Sequence, residues 1–420
     1  MKLKQLIQSS IIWRGLYFIT LFGVNMMLSR LLQAEQAGVV FYLTTILGFL
    51  FILLNFSIDT SVTYFNSSNT ISTNKLLNVG LIWTAIIAIL IYVFAPYLWR
   101  IFPIDSITQI EKNRFAFFYL VGLMLTYNQT SLCFSRGNFA LPNILLIVTN
   151  LCLMALFYIN YKGGLNTEFL IHDYFIFHLI QGILVTLFFI GKYVYPYKFE
   201  ITTTAETTKI IKFATVSLLA NLVFYVVYKL DILFVKNWCT HAADLGNYAQ
   251  ANKLSQMLLI IPQIIATSIL PVTASKNNHT EIVDAIKKYS KWFGIAIILL
   301  LIVMLGFGKQ LVALFFGDSF HQTHFIIALL LPGIYCLMIS TLLSAYLSGK
   351  NKNKYNLYAA IIAVATMLIC TFLCYSVYSI FIAAAISSLA YFAEAFYCFL
   401  KFCKLEKLWI YKEKSLTAEA

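Results

Sequence analysis

The chain has 420 residues, 60% of them hydrophobic, 11% charged, with a formal net charge of +13. Soluble domains carry roughly 25% charged residues, so this composition excludes a soluble enzyme and places the chain in a membrane. It also excludes nucleic acid as the reason for the charge. The lysines and arginines flank apolar runs rather than gather in one patch, and they serve topology first and attraction to anionic lipid second.

A membrane helix needs about 20 apolar residues. Twelve runs meet that length, at about 9–31, 37–59, 76–99, 115–135, 143–161, 170–191, 210–235, 248–271, 289–308, 324–347, 355–376 and 379–400. The N-terminus, MKLKQLIQSS, leads into a long apolar run with no small-residue cleavage site, so the first run reads as a retained helix. Arg14 lies a turn or two inside the first span, and Asp59 lies near the end of the second at a similar depth, where the two can pair. Snorkelling of Arg14 and a helix-end role for Asp59 are the alternatives. His178, in the sixth span, reads as a hydrogen-bonded interior residue.

The longest polar connection, Tyr193 to Lys209, is rich in Thr and charge and has no apolar period. It divides the chain into a six-helix lobe at 1–192, a cytoplasmic linker at 193–209, a second six-helix lobe at 210–405 and a cytoplasmic tail at 406–420. With both termini cytoplasmic, that side holds twenty Lys and Arg against seven on the other, a clear positive-inside bias.

Lys229 and Asp231 interrupt the seventh span, and Lys253 lies early in the eighth. A charge near the bilayer centre costs at least ~2.5 kcal/mol and normally faces protein or a wet cavity. Lys229 and Asp231 are two residues apart and cannot share a helix face. An Asp231–Lys253 pair across adjacent helices satisfies both charges and leaves Lys229 to face a cavity. Asn221, Tyr225 and Lys229 form a polar stripe at i, i+4 spacing. Pro262 and Pro332 fall inside the eighth and tenth spans and predict kinks. His321 and His324, alone in an outer loop, make a poor metal site. Glu394 stands alone in the last span as a candidate for holding a cation or proton. The eight cysteines form no CxxC pattern and read as small apolar residues. Neither GxxxxGK[ST] nor HExxH nor a nucleophile elbow occurs, so ATP hydrolysis and common hydrolase chemistry have no carrier here.

The two halves form a weak repeat. RLLQAEQAGVVFYLTTI (Arg30 to Ile46) parallels NWCTHAADLGNYAQANKL (Asn237 to Leu254), with Gly38 opposite Gly246. YNQTSLCFSRGN parallels STLLSAYLSGKN, with Gly137 opposite Gly349. Both matches are separated by about half the chain. Each half has an even number of spans, so the copies share one orientation, with a cavity expected between them.

These motifs resemble a known family. KLDILFV, then LGNYAQANKL, then SILPVTAS is similar to the seventh and eighth helices of the polysaccharide flippases, which handle O-antigen and related repeat units. Those flippases belong to the multidrug/oligosaccharidyl-lipid/polysaccharide exporter superfamily. The helix ends SRGN and SGKN and the small-residue-rich last pair YSIFIAAAISSLAYFAEAF fit the same pattern. The resemblance implies an all-α polytopic membrane protein of twelve transmembrane helices, in two six-helix lobes around a central cavity (MATE-like). It implies no enzymatic activity and no cofactor. The implied substrate is a lipid-linked oligosaccharide on a polyprenyl diphosphate, carried across the bacterial cytoplasmic membrane by alternating access. A polysaccharide polymerase and chain-length machinery are the implied partners, beside membrane lipid. Arg14, Lys229 and Lys253 are then the cations for the diphosphate, and Asp59, Asp231 and Glu394 serve ion coupling or structural pairing. A cation-coupled multidrug exporter of the same superfamily, and a membrane polysaccharide polymerase, are the alternatives.

Overall fold

The computed structural model describes residues 3–102, 104, 107–164, 167–239, 241–274, 279–350 and 352–406. The tail expected at 406–420 therefore lies, beyond Glu406, outside the described residues. Among the described residues every regular element is helical. The chain divides into two compact units, Met1–Leu222 and Val223–Ala420.

The first unit holds α1 (Leu3–Asn55), α2 (Ile58–Ser67), α3 (Thr73–Ile101), α4 (Gln109–Ser135), α5 (Ala140–Lys162), α6 (Thr167–Tyr193) and the first half of α7 (Thr204–Trp238). The second holds the rest of α7, then α8 (Ala242–Met257), α9 (Ile260–Ala274), α10 (His279–Phe316), α11 (Thr323–Gly349), α12 (Asn353–Leu373) and α13 (Ile380–Leu405).

The span boundaries follow the hydropathy, with breaks that hydropathy does not mark. The first two spans run on as α1, interrupted at Gln33, whose φ of 58° and ψ of 178° are not helical. The second span stops at Asn55 rather than at 59. Phe56 and Ser57 take left-handed φ values of 53° and 52° and turn the chain into α2. The eighth span is cut into α8 and α9 at Leu258–Leu259. Pro262 explains the position of the cut, because a proline has no N–H to offer the carbonyl four residues earlier and its ring crowds that carbonyl. The tenth span, by contrast, runs through Pro332 as α11. Among the described residues, eight helices are long and apolar enough to cross a membrane, or nine when the bent α7 is counted as one. The twelve expected spans are not all recovered in that count, since α1 carries two of them, the broken α8 and α9 fall short of the length, and α4, over the expected fourth span, is not apolar enough.

Local sequence sets the ends. Thr108 and Glu111 form a reciprocal capping box at the start of α4, and Ser379 accepts from the Ile382 N–H at the start of α13. The two matched helix ends SRGN and SGKN close alike, by backbone bonds from Asn138 N to Cys133 O (3.0 Å) and from Lys352 N to Leu347 O (2.9 Å). Gly137 supplies the positive φ, 72°, that the first of these turns requires.

Both units contain a crossing in which backbones touch. A Cβ on Gly122 of α4 would lie 2.3 Å from the backbone of His178 in α6, and a Cβ on Gly333 of α11 would lie 2.5 Å from Ser388 Cα in α13. Without a hydrophobic force between helices in lipid, such close approach is what dispersion and packing need. These crossings fall about half the chain apart, as the internal repeat does. The outward face of α10 is apolar, with Trp292, Ile298, Leu299 and Ile302 all exposed, as a lipid-facing helix requires.

Segment 193–209 is fastened to the first unit. Glu200 accepts from Ser72 and Asn74 through its carboxylate and from Asn78 through its carbonyl, and Glu206 pairs with Lys75 at 3.0 Å. All eight cysteines are free thiols.

Candidate functional site

In the second unit the charged residues of α7 and α8 meet. Asp231 is 2% exposed. Its carboxylate accepts from the Ile232 N–H (2.8 Å), Tyr248 Oη (2.6 Å), Asn252 Nδ2 (3.1 Å) and Ser387 Oγ (2.9 Å). Three of the four donors converge on Oδ2 and the backbone N–H reaches Oδ1, so most of the carboxylate's acceptor capacity is met by neutral groups. The pairing expected between Asp231 and Lys253 is thus replaced by neutral donors. The reason is rotational. Tyr248 and Asn252 are one turn apart on α8 and face α7, whereas Lys253 points about 100° further round the helix.

Lys229 and Asp231 do not touch directly, in keeping with their two-residue spacing. Asn252 joins them instead. Its Oδ1 accepts from Lys229 Nζ at 3.4 Å while its Nδ2 donates to Asp231. Gln256, one turn beyond Asn252, donates to the Tyr228 carbonyl at 2.9 Å and fixes α8 along α7. Lys229 and Lys253 are both half-buried. The region therefore holds two lysines and one carboxylate, the carboxylate met by neutral donors and bridged to Lys229 by Asn252.

Glu394, 4% exposed on α13, accepts from Ser340 Oγ of α11 at 3.0 Å. With one donor against four at Asp231, it keeps the more unused acceptor capacity. Tyr228 and Tyr391 stand near it, and the buried Tyr391 hydroxyl has no hydrogen-bond partner among the described residues.

In the first unit the expected Arg14–Asp59 pair does not form. The exposed Arg14 guanidinium lies over the Phe134 ring, 4.8 Å from its centroid, and Asp59 Oδ1 accepts from Asn55 Nδ2 at 2.8 Å. The break at Phe56–Ser57 places Asp59 in the first turn of α2, where a carboxylate suits the helix N-terminus. Both residues act electrostatically on Tyr127. Asn221 donates to Ser57 Oγ at 3.1 Å, so the lower end of the stripe through Lys229 is engaged within the first unit. His178 is hydrogen-bonded, with Nδ1 2.9 Å from the Tyr174 carbonyl.

A second polar cluster in this unit contains no charge. Gln181 Nε2 of α6 donates to Thr149 Oγ1 (3.0 Å) and Asn150 Oδ1 (2.8 Å) of α5, and Asn150 Nδ2 donates to Thr20 Oγ1 of α1 (3.1 Å). Sequence reasoning passed over these four residues, as it passed over Tyr248, Asn252 and Ser387. The i, i+4, i+8 spacing of Tyr248, Asn252 and Gln256 was the available signal.

Structures of known proteins share this fold. The lipid II flippase MurJ in an inward closed conformation superposes with a TM-score of 0.71 at 14% identity, covering 94% of this chain and 87% of its own. A single-residue variant of the Vibrio cholerae MATE transporter VcmN gives 0.67 at 17% identity, covering 96% and 97%. A superfamily transporter from Pyrococcus furiosus, described as having a binding pocket of reverse polarity, gives 0.68 at 15% identity, covering 94% of each chain. No curated protein matches by sequence. The description "Polysaccharide biosynthesis protein" matches residues 27–325, most of the length over which the two units are built, and the chain belongs to that family.

Proposed function

We propose that this protein is a flippase for polyprenyl-diphosphate-linked oligosaccharide, moving repeat units of O-antigen, capsule or a related surface polysaccharide across the bacterial cytoplasmic membrane. The observation that carries this reading is that the half-buried Lys229 of α7 bonds through Asn252 to the buried Asp231, with the half-buried Lys253 next to Asn252 on α8. Two lysines in one half-buried region attract a dianionic diphosphate and repel a cationic drug. Arg14 supplies a third cation in the first unit. Movement by alternating access takes the units Met1–Leu222 and Val223–Ala420 as its moving bodies, with 193–209 fastened to the first. Both termini lie in the cytoplasm on this reading, and a polymerase and chain-length machinery take up the product.

The carboxylates divide by capacity. Asp231 is a structural anchor. Glu394, with one hydroxyl donor, is the group that takes a coupling cation or proton. Asp59 steadies the start of α2.

Deleting the gene and analysing lipid-linked oligosaccharides tests the reading. The expected result is loss of surface polymer, with linked repeat units trapped on the cytoplasmic face and no rescue by Lys229→Ala or Lys253→Ala. Single repeat units exposed on the outer face would identify a polymerase instead. Unchanged glycan with altered drug sensitivity would identify a cation-coupled multidrug exporter, the second reading that the buried Asp231 and Glu394 favour.

A further inference from the structure

We infer that the first unit carries a saccharide subsite, in which Gln181, oriented by Asn150, Thr149 and Thr20, accepts a hydrogen bond from the sugar of the substrate while Arg14 meets its phosphate. This inference rests on the flippase reading above and assigns the saccharide to a part of the molecule that the charged residues do not occupy.

The cluster has one use of its hydrogen bonds left over. Gln181 spends its amide group on Thr149 and Asn150, and Asn150 spends its own on Thr20. Thr20 Oγ1 donates back to the Tyr17 carbonyl at 2.8 Å, and Thr149 Oγ1 donates to Leu145 and Leu146 carbonyls at 3.0 Å. Gln181 Oε1 then has no protein partner among the described residues. The side chain is half-buried, so this acceptor is reachable rather than sealed in. Three helices thus orient a neutral carbonyl that is free to receive a hydroxyl.

The ligand class follows from what surrounds that acceptor. The cluster consists of amides and hydroxyls, which attract neither cations nor anions strongly and satisfy O–H groups in both directions. The nearest carboxylate on α6 is Asp173, about 12 Å away along the axis at 1.5 Å per residue, and Asn160 already donates to it at 2.7 Å. Tyr174, His178 and Gln181 lie at i, i+4 and i+7 on one face of α6, and Tyr17 stands within electrostatic reach of Tyr174. Aromatic faces beside neutral amides suit the C–H faces and hydroxyls of a pyranose.

The spacing matches a diphospho-sugar. Arg14, Tyr17 and Thr20 follow one another along a broad face of α1, and Thr20 lies about 9 Å further along the axis than Arg14. A charge at one end and a neutral hydrogen-bonding cluster one or two sugar lengths deeper reproduce the order of phosphate and saccharide in the substrate. The alternative is a network that only holds α1, α5 and α6 together, and such a network does not distinguish glycosylated from bare lipid.

The test uses the full chain in lipid nanodiscs and two probes. One is undecaprenyl diphosphate. The other is the undecaprenyl-diphosphate-linked oligosaccharide extracted from the host lacking this gene. Gln181→Leu is expected to weaken the glycosylated probe about tenfold and leave the bare diphosphate unchanged, while Arg14→Gln weakens both. Thr20→Val, nearly isosteric, gives the same selective loss and replaces Gln181→Leu should that variant fail to fold. Equal weakening of both probes, or of neither, by the Gln181 and Thr20 variants overturns the saccharide subsite. Wild-type protein that binds neither probe overturns the flippase reading itself.

Discussion

Asp231 shows how a charge is kept in a membrane bundle without a countercharge in contact. Four neutral donors surround it, so its removal leaves Tyr248, Asn252 and Ser387 with buried, unpaired groups. Asp231→Ala is expected to destabilise the protein by on the order of 3 kcal/mol, and Asp231→Asn by about 1 kcal/mol, because the amide keeps an acceptor. Thermal unfolding in detergent measures both, and equal effects would show that the donors do not depend on the carboxylate. Lys253→Gln is expected to behave oppositely. Transport falls at least tenfold, about 1.4 kcal/mol, while the melting temperature is held, because the amide keeps the length and polarity of the side chain. A drop in melting temperature would make Lys253 a structural residue.

Helix crossings and helix breaks carry the next set of consequences. Gly122→Ala places a methyl 2.3 Å from the His178 backbone, and neither backbone can yield without separating α4 from α6. A loss of 3 kcal/mol or more is expected, at the upper end of overpacking costs of about 1–3 kcal/mol. Gly191→Ala, also on α6, meets nothing within 4 Å and is expected to be neutral or stabilising by up to about 1 kcal/mol. Similar melting temperatures for the two variants would rule out backbone contact at that crossing. The break between α8 and α9 belongs to Pro262. Pro262→Ala is expected to restore a bond to the Leu258 carbonyl and slow amide exchange across 258–262, while unchanged exchange would assign the break to packing.

At the scale of the molecule, the charge asymmetry makes a topological prediction. A phosphatase reporter fused at Gly164 is expected to be active, as in an outer loop, and one fused at Tyr195 inactive, as in the cytoplasm. The reverse result would invert the whole chain, and with it the direction in which Arg14 precedes Thr20. The Lys75–Glu206 pair and the Glu200 contacts hold the 193–209 segment to the first unit. Movement between the lobes is therefore expected to bend the chain beyond Thr207 rather than within the Thr-rich stretch.

The sequence by itself determined that the chain is helical and membrane-embedded, and that Arg14, Lys229, Asp231, Lys253 and Glu394 are its exceptional residues. Span length and the cost of a charge in hydrocarbon are local quantities, and both can be read without knowing what packs where. The tertiary structure alone decided which groups answer those charges. Asp231 reaches partners 17, 21 and 156 residues away, and the neutral cluster joins Thr20 to Asn150 across 130 residues. Tyr, Asn, Ser, Thr and Gln cost little inside a span, so nothing in the sequence sets the binding ones apart from the rest. Their role depends on the rotation and crossing of helices fixed by contacts such as Gly122 on His178. Positive φ at Gln33, Phe56 and Ser57 was equally hidden, since none of these residue types prefers it and only the surrounding packing holds it.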